Sequence, residues 1–270
     1  MNETTNTTEP QIAYSECCTL PFVSLYNEDC IETMKRIPDG SIDLMLTDPP
    51  YNTISCDWDK AINFNELWKE WERIIKPNGA MIFTSTQPFT TDLIMSNRKL
   101  FRYDLIWNKT RKTGFLNANK MPNRAHETLL VFYKEMPVYN PIKYSIDERF
   151  QRKGVRYSNS ESCNPFNITG KNTKDYSYTE DGTRLPDSIL QFNSCWEKDM
   201  HPTQKPTDLM RYLILTYSNK GETVFDGYSG SGTTAEACMI EQRNFIGSEL
   251  NKEYFDKSVL RLKNVPQSLF

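Results

Sequence analysis

Residues 223–242 constrain the fold of this chain more than any other stretch. Thr223-Val224-Phe225-Asp226 reads as a short buried strand, and Thr233 to Gln242 has the pattern of a helix. Between them runs Gly227-Tyr228-Ser229-Gly230-Ser231-Gly232, with three glycines in six residues. A strand that turns through glycines into a helix brings backbone close to a ligand and aims helix-start N–H groups at it. One glycine would serve a tight connection; three point to a ligand cradle in an α/β protein.

Three ligand classes fit such a loop. Gly227 and Gly232 have the spacing of a nucleotide P-loop, but Thr233-Thr234 stands where that loop needs Lys and then Ser or Thr, which removes the phosphate-gripping cation. Gly230-x-Gly232-x-x-Ala235 satisfies the relaxed dinucleotide fingerprint, and Glu249 lies 19 residues after Gly230, where an acid would bind a ribose diol. S-adenosylmethionine, which has a ribose but no pyrophosphate, fits equally well. The loop leaves the last two open.

The rest of the chain alternates in the same way. Strand patterns at Phe22 onward, Ile42–Thr47, Ala80–Thr84, Tyr103–Trp107, Thr223–Phe225 and Phe245–Glu249 alternate with helix patterns at 30–37, 66–75, 91–95, 207–218, 233–242 and 252–262. This is the rhythm of a mostly parallel, doubly wound sheet. It breaks between 109 and 182, where the one strand pattern is Thr128–Tyr133. The expected organisation is a polar tail over 1–20, core halves at 21–108 and 183–270, and an insertion at 109–182.

Charge follows the same boundaries. The formal net charge is -3, which argues against a polybasic nucleic-acid coat. Yet residues 98–175 carry +9 and the remainder -12. Aromatic and amide side chains interleave with the cations from Trp107 to Arg124, a mixture able to neutralise phosphates and reach base edges. The seven cysteines form no CxxC pair and there are two histidines, so neither a disulfide framework nor a metal site is expected. No apolar run approaches a membrane span. A reducing cytoplasm is the expected compartment.

Asp48-Pro49-Pro50-Tyr51 closes the strand Ile42–Thr47, because two prolines forbid continuation of a central strand. Open α/β sheets place their chemistry at such carboxyl ends. A carboxylate or carbonyl held there can accept a hydrogen bond from an exocyclic amine, and a neighbouring tyrosine can stack on the base that bears it.

TDPPYN, then HPTQKP at 201–206, then FDGYSGSGTT resembles the DNA amino-methyltransferases, which methylate adenine N6 or cytosine N4 with S-adenosylmethionine. The order of these segments matches the circularly permuted β class, over about residues 22 to 262. The resemblance implies a Rossmann-like α/β methyltransferase fold with one inserted target-recognition region. It implies a catalytic pocket of Asp48, Pro49, Pro50 and Tyr51. Asp29 and Cys30 would contact the cofactor's adenine, and Glu249 its ribose. His201, Thr203 and Lys205 would face its methionine carboxylate, with Asp226, Tyr228, Gly230, Ser231 and Gly232 along its tail. Asp at the head of the tetrapeptide favours adenine N6 over cytosine N4.

Double-stranded DNA is the implied partner, with Lys109, Arg111, Lys112, Lys120 and Arg124 as phosphate contacts. The family's habit adds a homodimer as an expectation, and leaves a cognate restriction enzyme unidentified. Three positions depart from the usual pattern: Gly227 and Tyr228 stand for Pro and Phe, and Ser248 for an aliphatic residue. A nicotinamide oxidoreductase would leave the tetrapeptide, the HPTQKP segment and the basic insertion without roles. A non-catalytic DNA-binding subunit would leave the glycine loop without one.

Overall fold

The computed structural model describes residues 21–51, 63–145, 182–194 and 204–265. The larger of two compact units, Met1–Asn140 with Ser188–Phe270, is built on one eight-stranded sheet. Its strands are β1 (Val23–Tyr26), β2 (Ile42–Thr47), β3 (Ile75–Ser85), β4 (Phe101–Thr113), β5 (Arg124–Phe132), β8 (Ile189–Phe192), β9 (Thr223–Asp226) and β10 (Asn244–Ser248). The spatial order is β1-β10-β9-β2-β3-β5-β4-β8. Only β5 runs against its neighbours. The smaller unit, Pro141–Asp187, contains β6 (Tyr144–Ser145) paired antiparallel with β7 (Thr183–Arg184), and Tyr144 donates to Asp187 Oδ2 at 2.8 Å.

Period-two alternation along the central strands divides the core between the two faces. Leu44 and Leu46 of β2, Ala80 and Ile82 of β3, and Leu129 and Val131 of β5 point to one face. There they pack against α4 (Thr207–Tyr217), α5 (Thr233–Ile240) and α6 (Lys252–Lys263). Met45, Met81, Phe83, Leu130 and Phe132 point to the other, toward α1 (Cys30–Arg36), α2 (Phe64–Ile74) and α3 (Phe89–Ser96). The strands therefore read as continuous apolar runs, as expected of a sheet covered on both faces. Leu67, Trp68, Trp71 and Ile74 are the buried stripe of α2. Trp71 meets Phe83 at 4.7 Å between ring centroids, and Trp68 meets Phe132 at 5.1 Å. Aromatic pairs at this spacing add roughly 0.5–1.5 kcal/mol each beyond the area they bury.

The structure extends three expectations. β3 begins at Ile75, paired with Ile42, and its register jumps before Leu44 meets Ala80, so Lys76-Pro77-Asn78-Gly79 forms an irregularity within the strand. β4 and β5 continue past their apolar stretches to Thr113 and back to Arg124. The main sheet thus reaches into 109–132, which polarity had assigned to the insertion. β8, whose Ile189 is exposed, had no periodic signal. Residues 1–20 and 146–181 lie outside the described residues.

β9 and β2 are neighbours at the centre of the sheet. From β2 the chain crosses through α2 to β3 on one side; from β9 it crosses through α5 to β10 on the other. This reversal opens a crevice at the carboxyl ends of the two strands, the place where open α/β sheets bind ligands.

Candidate active site

The tetrapeptide after β2 and the glycine loop after β9 meet in that crevice. They line one cavity of about 500 Å³, with Asp29, Cys30, Lys205 and Glu249 also in its wall. Thr47 donates to Asp226 Oδ1 at 2.8 Å, and the Tyr228 N–H reaches the same oxygen at 3.0 Å. Burial pushes the Asp226 carboxyl up to about 6, against the hydrogen bonds from Thr47, Thr234 and Tyr228 that favour its charged form.

Gly232 explains why the loop must be glycine-rich. Its φ is +79°, and a Cβ there would stand 2.8 Å from Ser258 Cβ of α6, so both conformation and space exclude a side chain. Glu249, just beyond β10, accepts from Gly230 N–H at 2.9 Å and from Asn251 N–H at 2.7 Å. Burial raises its carboxyl pKa, with those two N–H groups opposing. Each oxygen keeps a further lone pair for a ligand hydroxyl. Asp29 also caps α1, accepting from Ile31 N–H at 2.8 Å.

Burial drives the Cys30 thiol up to about 12, opposed by its hydrogen bond with Tyr228. It remains a protonated thiol at neutral pH. The hydroxyl at position 228, a departure from the usual Phe, is thus engaged with Cys30. The other two departures are linked to each other, because Ser248 Oγ donates to the Gly227 carbonyl at 3.1 Å. An aliphatic residue at 248 could not make that bond.

Asp48 is the most heavily engaged carboxylate of the cavity. Oδ1 accepts from Tyr51 OH at 2.5 Å and from Thr84 Oγ1, whose oxygen lies 2.8 Å from that of Tyr51. Oδ2 accepts from the Lys205 ammonium. Burial alone would raise the Asp48 carboxyl, but the Lys205 charge and the hydrogen bonds from Lys205, Thr84 and Tyr51 bring it below its usual value. Burial likewise opposes the Lys205 ammonium, but Asp48 and Glu127 more than compensate and raise its pKa. The Tyr51 ring packs on Phe89 with centroids 5.1 Å apart.

The structure therefore brings together Asp48, Pro49, Pro50 and Tyr51 with Asp29, Cys30, Lys205, Asp226, Tyr228, Gly230, Ser231 and Glu249. His201 and Thr203 lie outside the described residues. Lys205, expected to face a methionine carboxylate, is turned to Asp48. Lys109 requires a correction. Its side chain is 9% exposed and its ammonium is 2.9 Å from Glu127 Oε1, so it belongs to the cavity wall rather than to a phosphate-facing surface. Arg111, Lys112, Lys120 and Arg124 are exposed. Thr84 and Glu127, absent from the expected site, enter it through strand pairing: β3 lies beside β2, and β5 beside β3.

A family model described as DNA methylase, covering N6 and N4 methyltransferases, matches residues 42–260. Type II methyltransferase M.HinfI of Haemophilus influenzae is 29% identical over 265 residues, which span 88% of this chain and 67% of that protein. DNA adenine methyltransferase YhdJ of Escherichia coli K12 is 28% identical over 88% of this chain and 82% of its own length. Among solved structures, the M1.HpyAVI–SAM complex superposes with a TM-score of 0.60 at 26% identity, covering 88% of this chain and 99% of that one. The cytosine-N4-specific PvuII DNA methyltransferase shares the fold, with a TM-score of 0.65 at 18% identity over 93% of this chain and 90% of its own. The chain belongs to the DNA methylase family, the S-adenosylmethionine-dependent amino-methyltransferases of DNA.

Proposed function

We propose that this enzyme methylates the N6 amine of an adenine flipped out of duplex DNA, with Asp48 as the group that accepts the amine. The observation that carries this reading is the rigid placement of the Asp48 carboxylate beside the cofactor loop, in one cavity. An aspartate at the head of the tetrapeptide and the adenine specificity named for the relative from Escherichia coli favour adenine over cytosine.

The residues present fit the cofactor. The two oxygens of Glu249 suit a ribose diol, Asp29 and Cys30 lie where an adenine would rest, and the glycine loop admits a close backbone approach. When bound, S-adenosylmethionine supplies a methyl group activated on a sulfonium. The protein's own work is then positional and electrostatic. Asp48 and the Pro49 carbonyl accept hydrogen bonds from the amine, which returns lone-pair character to the nitrogen. Tyr51 offers its ring to the base, held in place by Phe89 and by the bond from its hydroxyl to Asp48. A base must leave the stack to reach a carboxylate so placed.

The β4–β5 hairpin suits the DNA side of the reaction. Thr113 and Arg124 pair at the cavity lip. Beyond them Gly114, at φ +89°, turns the chain into a tip where Phe115 and Leu116 are 74% and 87% exposed. Lys112, Lys120 and Arg124 surround that tip as phosphate contacts. Digesting DNA methylated by the enzyme to nucleosides tests the reading: N6-methyladenine supports it, and N4-methylcytosine replaces it.

A further inference from the structure

Glu127 lies on β5 opposite Trp107 of β4. Its carboxylate is in the wall of the cavity that holds Asp48, and its two oxygens have unlike surroundings. Oε1 accepts from Lys109 at 2.9 Å. Oε2 is buried and, among the described residues, is the buried side-chain nitrogen or oxygen without a hydrogen bond. Leaving such an oxygen unsatisfied costs about 1–3 kcal/mol, more when charged, so the arrangement calls for a reason. Lys205 Nζ stands 3.5 Å from Oε2, while the same ammonium is bonded to Asp48 Oδ2.

We propose that Glu127 Oε2 is a second seat for the Lys205 ammonium, taken up when the target amine claims Asp48. Asp48 Oδ1 already receives two hydroxyls, and Oδ2, committed to an ammonium, is a weakened acceptor for a neutral amine. A shift of Lys205 by less than about 1 Å would shorten 3.5 Å to an ordinary charge-assisted bond. Both carboxylates and both lysines stay within the cavity wall, so the exchange leaves the net charge of the cavity unchanged, and Asp48 trades its ammonium for the hydrogen bond of the amine. Glu127 is in this sense a positioning residue that acts through Lys205. The inference rests on Asp48 as the amine acceptor.

Single-turnover methyl transfer, with the Kd for S-adenosylmethionine and the KM for a target duplex, tests it in Glu127→Gln, Lys205→Met, the double variant and Asp48→Asn. Glu127→Gln lowers the transfer rate roughly 10- to 100-fold, with the Kd and KM within about twofold of wild type, and causes no further loss in the Lys205→Met background. A wild-type rate for Glu127→Gln, or losses that multiply in the double variant, overturns the exchange. An active Asp48→Asn instead removes the underlying reading, so the two failures are distinguishable. Should Glu127→Gln melt early, ζ-15N lysine spectra of the wild-type enzyme carry the test. The Lys205 signal shifts on adding S-adenosylhomocysteine and target duplex together, and an unmoved signal overturns the proposal.

Discussion

Thr47 donates to Asp226 across 179 positions of sequence, and that 2.8 Å bond ties the strand bearing the tetrapeptide to the strand bearing the glycine loop. Both side chains are buried, so the two halves of the site are fixed to each other from within the core.

The elevated pKa of Asp226 makes this junction sensitive to pH. An acid whose folded-state value is raised from 3.8 to about 6 binds its proton more tightly when folded. Its contribution is therefore most favourable below the unfolded value and is lost as pH rises through the folded one. Asp226→Asn keeps an oxygen for Thr47 and for the Tyr228 N–H and never ionises. Its stability relative to wild type should increase between pH 4 and pH 7, by up to about 3 kcal/mol, in urea titrations at matched pH. A difference independent of pH would contradict the buried, titrating carboxylate.

Glu249 should govern cofactor affinity. Its oxygens already hold the Gly230 and Asn251 N–H groups, so truncation would remove the proposed ribose contact and loosen the loop. Hydrogen bonds to a charged group are worth about 1.5–3 kcal/mol, which predicts a weakening of roughly 10- to 100-fold for Glu249→Ala in calorimetric titration with S-adenosylmethionine. Binding to DNA without cofactor should be unaffected.

The hairpin makes a separable prediction. Replacing Lys112, Lys120 and Arg124 by Ala should weaken DNA binding on all sequences alike. It should also lower the slope of log K against log salt by up to about 3, since each phosphate contact contributes about 0.9. Lys109→Ala should not change that slope, because its ammonium is held by Glu127 inside the cavity.

Ser248 and Gly227 make a local prediction. Ser248→Val restores an aliphatic residue but deprives the Gly227 carbonyl of its buried donor. The expected loss of about 1–3 kcal/mol would appear in the thermal melt, while retained stability would mean that the hydroxyl is incidental.

Much of this is legible in the sequence, for physical reasons. Ile42–Thr47 has the same limits by pattern and by structure because apolar residues fill it and two prolines end it. The glycine loop and Glu249 were legible because conformation and charge restrict which residues serve there. The arms of β4 and β5 were hidden, since their backbone pairing needs no apolar side chains once the strands leave the core. Lys109 illustrates the main error. Its charge resembled that of Lys112 and Lys120, and only the register that sets Trp107 against Glu127 shows that it turns inward. Thr84 and Glu127 come to Asp48 from other strands, a proximity that no local pattern carries.

The most direct measurement is methyl transfer from labelled S-adenosylmethionine to DNA by wild type, Asp48→Ala and Asp48→Asn, followed by nucleoside analysis. Both variants should keep cofactor binding, and a thermal melt would register the cost of leaving Lys205 short of one partner. The account predicts labelled N6-methyladenine from wild type and a loss of at least about 1000-fold in either variant. Folded Asp48→Ala that transfers methyl groups at the wild-type rate would contradict it.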